Sequence, residues 1–169
     1  MSNSFTKKVL TLVFIQQQTK ILLGLKKRGF GRGKWNGFGG KVEPGESIKQ
    51  AAHRELNEEC SITSENLERI GLIDFEFEDD PQVLEVHVYK SNSYKGQVIE
   101  SEEMQPQWFE VDSLPFNQMW LDDEHWFPYM LRGVNFYGYF LYKGHNTILS
   151  HRVEQVDTIT SYFQQFRSS

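Results

Sequence analysis

A single cysteine, Cys60, is all this 169-residue chain holds. It excludes an internal disulfide framework and fits a reducing compartment. No apolar run approaches the ~20 residues that cross a bilayer. Residues 9–15 follow Lys7-Lys8 as an export signal would, but the run contains Thr11 and meets three glutamines without a small-residue cleavage site. A strand is the better reading, and a cytoplasmic location is expected, with the nuclear and mitochondrial pools left open. Basic excess is missing too. With 18 Lys and Arg against 23 Asp and Glu, the net charge of −5 argues against a general nucleic-acid or membrane-surface binder. No repeat, linker or compositional break divides the chain, so one domain over residues 1–169 is expected, with the tail from about 157 left unassigned.

Apolar content of 38%, with 14% aromatic residues, places the chain among folded globular proteins. Residues 9–15 and 21–27 read as a hairpin, and strands are expected near 69–77, 83–89 and 107–111. A helix is expected over 127–132 and a second hairpin from 136–142 and 147–153. Residues 29–40 carry six glycines among basic and aromatic side chains, a loop whose backbone comes close to something. Glu78-Asp79-Asp80-Pro81 reads as a solvated turn. Strands with one strong helix and one weaker one give a mixed sheet covered by helices, α/β or α+β.

The strong helix begins after Ser47, with Gln50 three residues on as a capping box. At about 100° per residue, Glu55, Glu58 and Glu59 share an arc with Ile48 and Ala51, flanked by Ala52 and Leu56. Gln50, His53 and Asn57 take the solvent face. Three carboxylates are therefore expected to point inward. Two carboxylates ~6 Å apart repel by ~2–3 kcal/mol at an effective dielectric of about 20. A divalent cation relieves that while leaving the acids ionised, and an all-oxygen set suits Mg²⁺ or Mn²⁺. Arg54 and Glu58 are spaced to pair, which makes Arg54 a support for the acids. Cys60, next to those acids, reads as a spectator because their charge disfavours its thiolate.

Gly40, five residues, Glu46, seven residues, Arg54-Glu55-Leu56, one residue, Glu58-Glu59, one residue, Ser61-Ile62 resembles the box of the Nudix family. Ser61 stands where that family usually has glycine, the residue that ends the helix in a left-handed turn. Further segments resemble, in order, the branch of the family that hydrolyses oxidised purine nucleoside triphosphates. They are Lys26-Lys27-Arg28-Gly29-Phe30-Gly31, Trp35-Asn36-Gly37-Phe38-Gly39-Gly40-Lys41, Phe75-Glu76-Phe77, Glu102-Glu103-Met104, Trp120-Leu121-Asp122-Asp123 and Gly138-Tyr139-Phe140. Leu84 stands where that branch suggests methionine, and the tail is longer than expected.

The resemblance implies an α/β/α sandwich and a metal held by Glu55, Glu58, Glu59, the Gly39 carbonyl and Glu103. Glu55, Glu59 and Glu103 are the implied catalytic acids, with Glu55 or Glu103 as the base, and Glu46 and Arg54 support them. Trp120 and Phe30 are implied to stack on or line the base, and Asn36 to read its edge. Asp122 and Asp123 are implied to face it with coupled ionisation, although without the resemblance they read as a helix start. Thr11, Lys26, Phe38, Gly39, Gly40, Lys41, Phe75 and Leu84 complete the implied substrate site. The implied reaction is metal-dependent hydrolysis of triphosphates such as 8-oxo-dGTP and 2-hydroxy-dATP to monophosphate and pyrophosphate. A small-molecule substrate, a monomer, and no nucleic-acid or membrane partner are expected. Another Nudix substrate, such as a dinucleotide or capped RNA end, and a silent nucleotide-binding module are the alternatives. The cluster Lys26-Lys27-Arg28, Arg32 and Lys34 is the feature an RNA substrate would use, and it reads more simply as a solvated hairpin.

Overall fold

The strand-forming stretches pair into a curled mixed sheet in the computed structural model, which describes residues 4–167. In chain order they are β1 (Thr6–Gln17), β2 (Lys20–Lys26), β3 (Trp35–Asn36), β4 (Glu68–Phe77), β5 (Gln82–Ser91), β6 (Met104–Glu110), β7 (Phe136–Lys143) and β8 (Thr147–Gln155). Helices α1 (Ile48–Cys60), α2 (Asp123–Leu131) and the short α3 (Phe163–Arg167) complete the set, with a 3-10 turn at Phe116–Gln118. The sheet order is β3-β2-β1-β5-β4-β7-β8, with β6 on β2. Both expected hairpins form, and the expected mixed sheet with helices against it is what the chain builds. The glycine-rich loop contains a two-residue strand, and the second helix starts at Asp123, earlier than expected.

β1 pairs with β2 at Gln16 and Gln17, while it runs parallel to β5 from Thr6 to Ile15. Where β2 leaves, the glycine-rich loop takes its place on β1. Val13 and Phe38 exchange backbone hydrogen bonds of 2.6 and 3.0 Å, and the Thr11 N–H donates to the Gly40 carbonyl at 2.9 Å. A Cβ at Gly39 would collide with the Thr11 carbonyl, and one at Gly37 would sit 2.7 Å from Phe14. Those two glycines are what let the loop lie flat on β1. The split opens a cleft, and the cleft becomes the site.

One face of the sheet packs Phe14, Ile73, Phe136 and Phe140 against Trp126 and Phe127 of α2. The other packs Val13, Ile15, Leu22 and Phe38 against Ala52 and Leu56 of α1. The capping box at Ser47 and Gln50 is present, with both bonds made at 2.8–3.0 Å. Ser61 adopts the left-handed conformation (φ 67°, ψ 22°), so α1 ends as a glycine-terminated helix would, at a cost of ~1 kcal/mol.

The tail is ordered by contacts that its own sequence does not announce. Phe163 and Phe166 bury against Leu72, Val83, Tyr137 and Tyr139 on the back of β4, β5 and β7. Ser161 donates to Asp74 at 2.7 Å and Arg167 to Glu76 at 2.9 Å. Residues 168–169, the end of the tail, lie outside the described residues.

Candidate active site

The cleft is a cavity of about 670 Å³ with Glu59 of α1 at one end and Asp122-Asp123 at the other. Thr11, Lys26, Phe30, Asn36, Gly39, Gly40, Lys41, Phe75, Leu84 and Trp120 also line it. Most of the expected substrate site is thus one surface. Phe38 is a correction. Its ring is fully buried beneath α1 and does not reach the cavity, because side chains alternate along the loop segment paired with β1.

The three acids of α1 are graded, and do not all face inward. Glu59 is buried, Glu55 is half-buried, and Glu58 is exposed. The reason is Arg54. Its Nη1 donates to Glu55 at 2.8 Å and to Glu58 at 3.2 Å, drawing Glu58 outward across the helix edge. Its Nε and Nη2 grip Glu46 at 2.7 and 2.9 Å, and Nη2 also reaches the Lys41 carbonyl at 3.0 Å. The bidentate grip and a bond from the Glu43 N–H hold the Glu46 carboxyl down to about 2. Glu55 stays above the usual carboxylate range because burial outweighs Arg54. Glu59 accepts the Gly39 N–H at 2.8 Å, yet burial pushes it up to about 8. Burial likewise pushes the Cys60 thiol up to about 12, as expected of a spectator.

Glu103 is near enough for its charge to act on Glu59, but its carboxyl is held by cations of the glycine-rich loop and its approach. Lys26 donates to it at 3.2 Å and Arg28 at 2.7 Å, and these bonds keep its carboxyl low. Lys27 pairs with Glu100 at 2.6 Å, so the basic cluster is largely engaged by residues 100–103. Among the described residues, no three Asp, Glu, His or Cys side chains are already gathered as a metal group. The donor chemistry nevertheless fits a hard divalent cation. Glu59 is a buried carboxylate at which burial and the like charges of Glu55 and Glu103 outweigh the pull of Lys26, and Gly40 lies so close that a Cβ there would meet Glu55 at 2.7 Å.

At the other end Asp122 and Asp123 are almost fully buried, and neither side chain caps α2. Asp122 accepts from Tyr142 Oη at 2.6 Å and from Trp126 Nε1 at 2.8 Å. Asp123 has an oxygen, Oδ2, buried without a partner. Burial and the neighbouring Asp122 charge raise Asp123 well above the carboxylate range, against a small pull from Lys34. Burial raises Asp122 as well, against its bonds from Tyr142 and Trp126, so the two carboxyls ionise as a coupled pair. The cavity wall is aromatic. Phe30 stacks on Trp120 at 5.0 Å with 26° between planes, and Lys34 lies 5.2 Å over the Trp120 ring. Asn36 turns its carbonyl to the Gly37 N–H at 2.8 Å.

Tyr142, Trp126, Lys34 and His145 line the same cavity and were not expected there. The i, i+4 spacing of Asp122 and Trp126 was readable; the packing of β7 against α2, which brings Tyr142, was not. Glu78 and Asp80, expected in a solvated turn, reach the cavity rim.

The NUDIX domain pattern matches residues 6–130. The chain is 52% identical over 155 residues to the oxidized purine nucleoside triphosphate hydrolase of Danio rerio, covering 92% of this chain and 99% of that one. It is 46% identical to the Mus musculus protein of the same name over 153 residues, 90% and 98% of the two chains. Among solved structures, a MutT protein from Bacillus halodurans superposes with a TM-score of 0.78 at 28% identity, covering 87% of this chain and 97% of that one.

Proposed function

The chain belongs to the Nudix family, and from that membership we propose that it hydrolyses oxidised purine nucleoside triphosphates to monophosphate and pyrophosphate, clearing them from the nucleotide pool. The observation that carries the reading is that one cavity joins Glu59 of the box helix to the buried Asp122-Asp123 pair. Enzymes of this family use divalent metals, and Mg²⁺, with Mn²⁺ as substitute, is the ion this oxygen set suits. Glu55, Glu58, Glu59 and Glu103 with the Gly39 carbonyl would hold it, with Arg54 giving up its bonds to Glu55 and Glu58, and Arg28 its bond to Glu103. When bound, the cation supplies charge neutralisation at the phosphate oxygens.

The chain's own residues do the rest. Lys8, Lys26, Lys34 and Lys41 line the cavity and offer positive charge to a triphosphate. Trp120, Phe30 and Phe75 provide flat apolar faces for a purine. Asp122 accepts a ring or exocyclic N–H, while protonated Asp123 donates to an oxo group. Water attacks phosphorus and pyrophosphate leaves. Glu55 or Glu103, whichever is not committed to the cation, would take the proton of that water. We read the chain as one domain, monomeric and cytoplasmic. No helix among the described residues is long and apolar enough to cross a membrane.

The test is steady-state pyrophosphate release with Mg²⁺ on 8-oxo-dGTP, 2-hydroxy-dATP, dGTP and dATP. A preference of ~10-fold or more for the oxidised forms is expected, given one or two extra hydrogen bonds to the base. Metal-dependent turnover without preference would discard the base-recognition half. No turnover on any of the four would favour another Nudix substrate or a silent binding module.

A further inference from the structure

We propose that Tyr142 is a positioning residue for base recognition: it fixes the negative charge of the aspartate pair on Asp122 and leaves Asp123 as the protonated member that meets the base. The proposal rests on the reading of the cavity as a purine site. Tyr142 Oη holds Asp122 twice, accepting the Asp122 backbone N–H at 3.0 Å and donating to Oδ1 at 2.6 Å. Trp126 Nε1, which can only donate, takes Oδ2 at 2.8 Å. Both Asp122 oxygens therefore already accept from a donor, and those two bonds favour the ionised form of Asp122 over the protonated one. Asp123 is the opposite case, since its buried Oδ2 has no partner.

The phenol is itself held in place. Its ring is 1% exposed and lies against Phe77, Trp120 and Phe75, with ring centroids 5.7–6.2 Å away. Around the pair, Tyr142 of β7 and Trp126 of α2 face Asp122, Lys34 of the glycine-rich loop acts on Asp123, and Lys26 and Glu78 line the same cavity.

The consequence is specificity. Guanine-type and adenine-type bases present donors and acceptors in different orders along the edge a pair of carboxyls can meet. A pair whose proton is free to move accepts both orders, whereas a pair locked by Tyr142 favours one. Removing the hydroxyl loosens that lock and also destabilises the anion on Asp122, so the pair keeps its second proton to higher pH.

The experiment compares wild type with Tyr142→Phe, which keeps the ring. One readout is kcat/KM against pH for 8-oxo-dGTP and 2-hydroxy-dATP; the other is carboxyl ¹³C NMR titration of Asp122 and Asp123. In wild type, Asp122 is expected to titrate as the ionised member across neutral pH and Asp123 as the protonated one. In the variant, the acid limb of kcat/KM moves up by about one pH unit, and the ratio between the two substrates changes by ~3-fold or more. Equal losses on both substrates with an unmoved pH profile would make Tyr142 merely structural and overturn the proposal. Reversed assignments in the wild-type NMR titration would overturn it as well. If wild type does not prefer oxidised bases, the purine-site reading falls by itself, and the NMR titration alone upholds or overturns the charge assignment.

Discussion

The two ends of the cavity solve one problem in opposite ways. Around α1, Glu43, Glu46, Glu55 and Glu58 crowd a single guanidinium, and Arg54 answers them with charge. At the start of α2, Asp122 and Asp123 are buried more completely: Lys34 acts on Asp123, two neutral donors hold Asp122, and burial favours keeping a proton on the pair. Charge compensation suits a site that must admit another cation and a triphosphate, because charges can be exchanged. Proton compensation suits a site that must tell one hydrogen-bonding edge from another, because a donor and an acceptor are then set side by side. Glu59 stands between the two regimes: buried like the aspartates, on the helix of the glutamates, and accepting the backbone N–H of Gly39.

Glu59→Gln is the sharpest way to break that contrast. It is expected to lower kcat/KM by ~100-fold or more while the fold survives. Its effect on stability has a sign that can be worked out. The folded carboxyl titrates near 8, above its unfolded value, so wild type without metal loses this contribution as pH rises from about 4.5 through 8. The variant cannot ionise there. Urea unfolding with a chelator at pH 5 and pH 8 should show a shallower decline for the variant, which ends roughly 2–4 kcal/mol ahead of wild type at pH 8. Added Mg²⁺ should restore wild type only. A wild type equally stable at both pH values would remove Glu59 from this account.

Arg54→Met removes the charge that organises the α1 end. It should cost about 2–4 kcal/mol, measured by urea unfolding, and about 10- to 100-fold in turnover. The aspartates test the other regime by their inequality. Asp123→Asn imitates a neutral acid and should change stability by less than about 1 kcal/mol. Asp122→Asn sets an amide against two donors, Trp126 and Tyr142, and should cost ~2 kcal/mol. Both should re-rank purine triphosphates more than they alter the Mg²⁺ dependence; equal thermal shifts would contradict the assignment of proton and charge. The smallest effect belongs to Ser61→Gly, which relieves the left-handed helix end and should raise stability by about 0.5–1 kcal/mol without touching specificity.

The α1 end was legible in sequence because a helix repeats. The wheel put Glu59 inward and Ser47 at the cap correctly, and it erred on Glu58, whose outward turn depends on where Arg54 finds its other partners. The Asp122-Asp123 end was legible only through resemblance, since two adjacent acids before a helix look like a cap. Tyr142 was hidden because its role arises from β7 meeting α2 across the fold. Phe38 and its neighbours were read as a single lining, although alternation sends the ring to one side and the backbone to the other. The tail escaped for a similar reason: Asp74 and Glu76, the anchors of Ser161 and Arg167, resemble the polar side of a half-exposed strand.

Those anchors give β4 two audiences. Phe75 and Phe77 look into the cavity, while Asp74 and Glu76, one residue away each, are fastened from behind by Tyr137, Tyr139 and the tail. The cavity wall at Phe75 and Phe77 is therefore a clamped plate: the tail adds no chemistry to it, and fastens the strand that carries it.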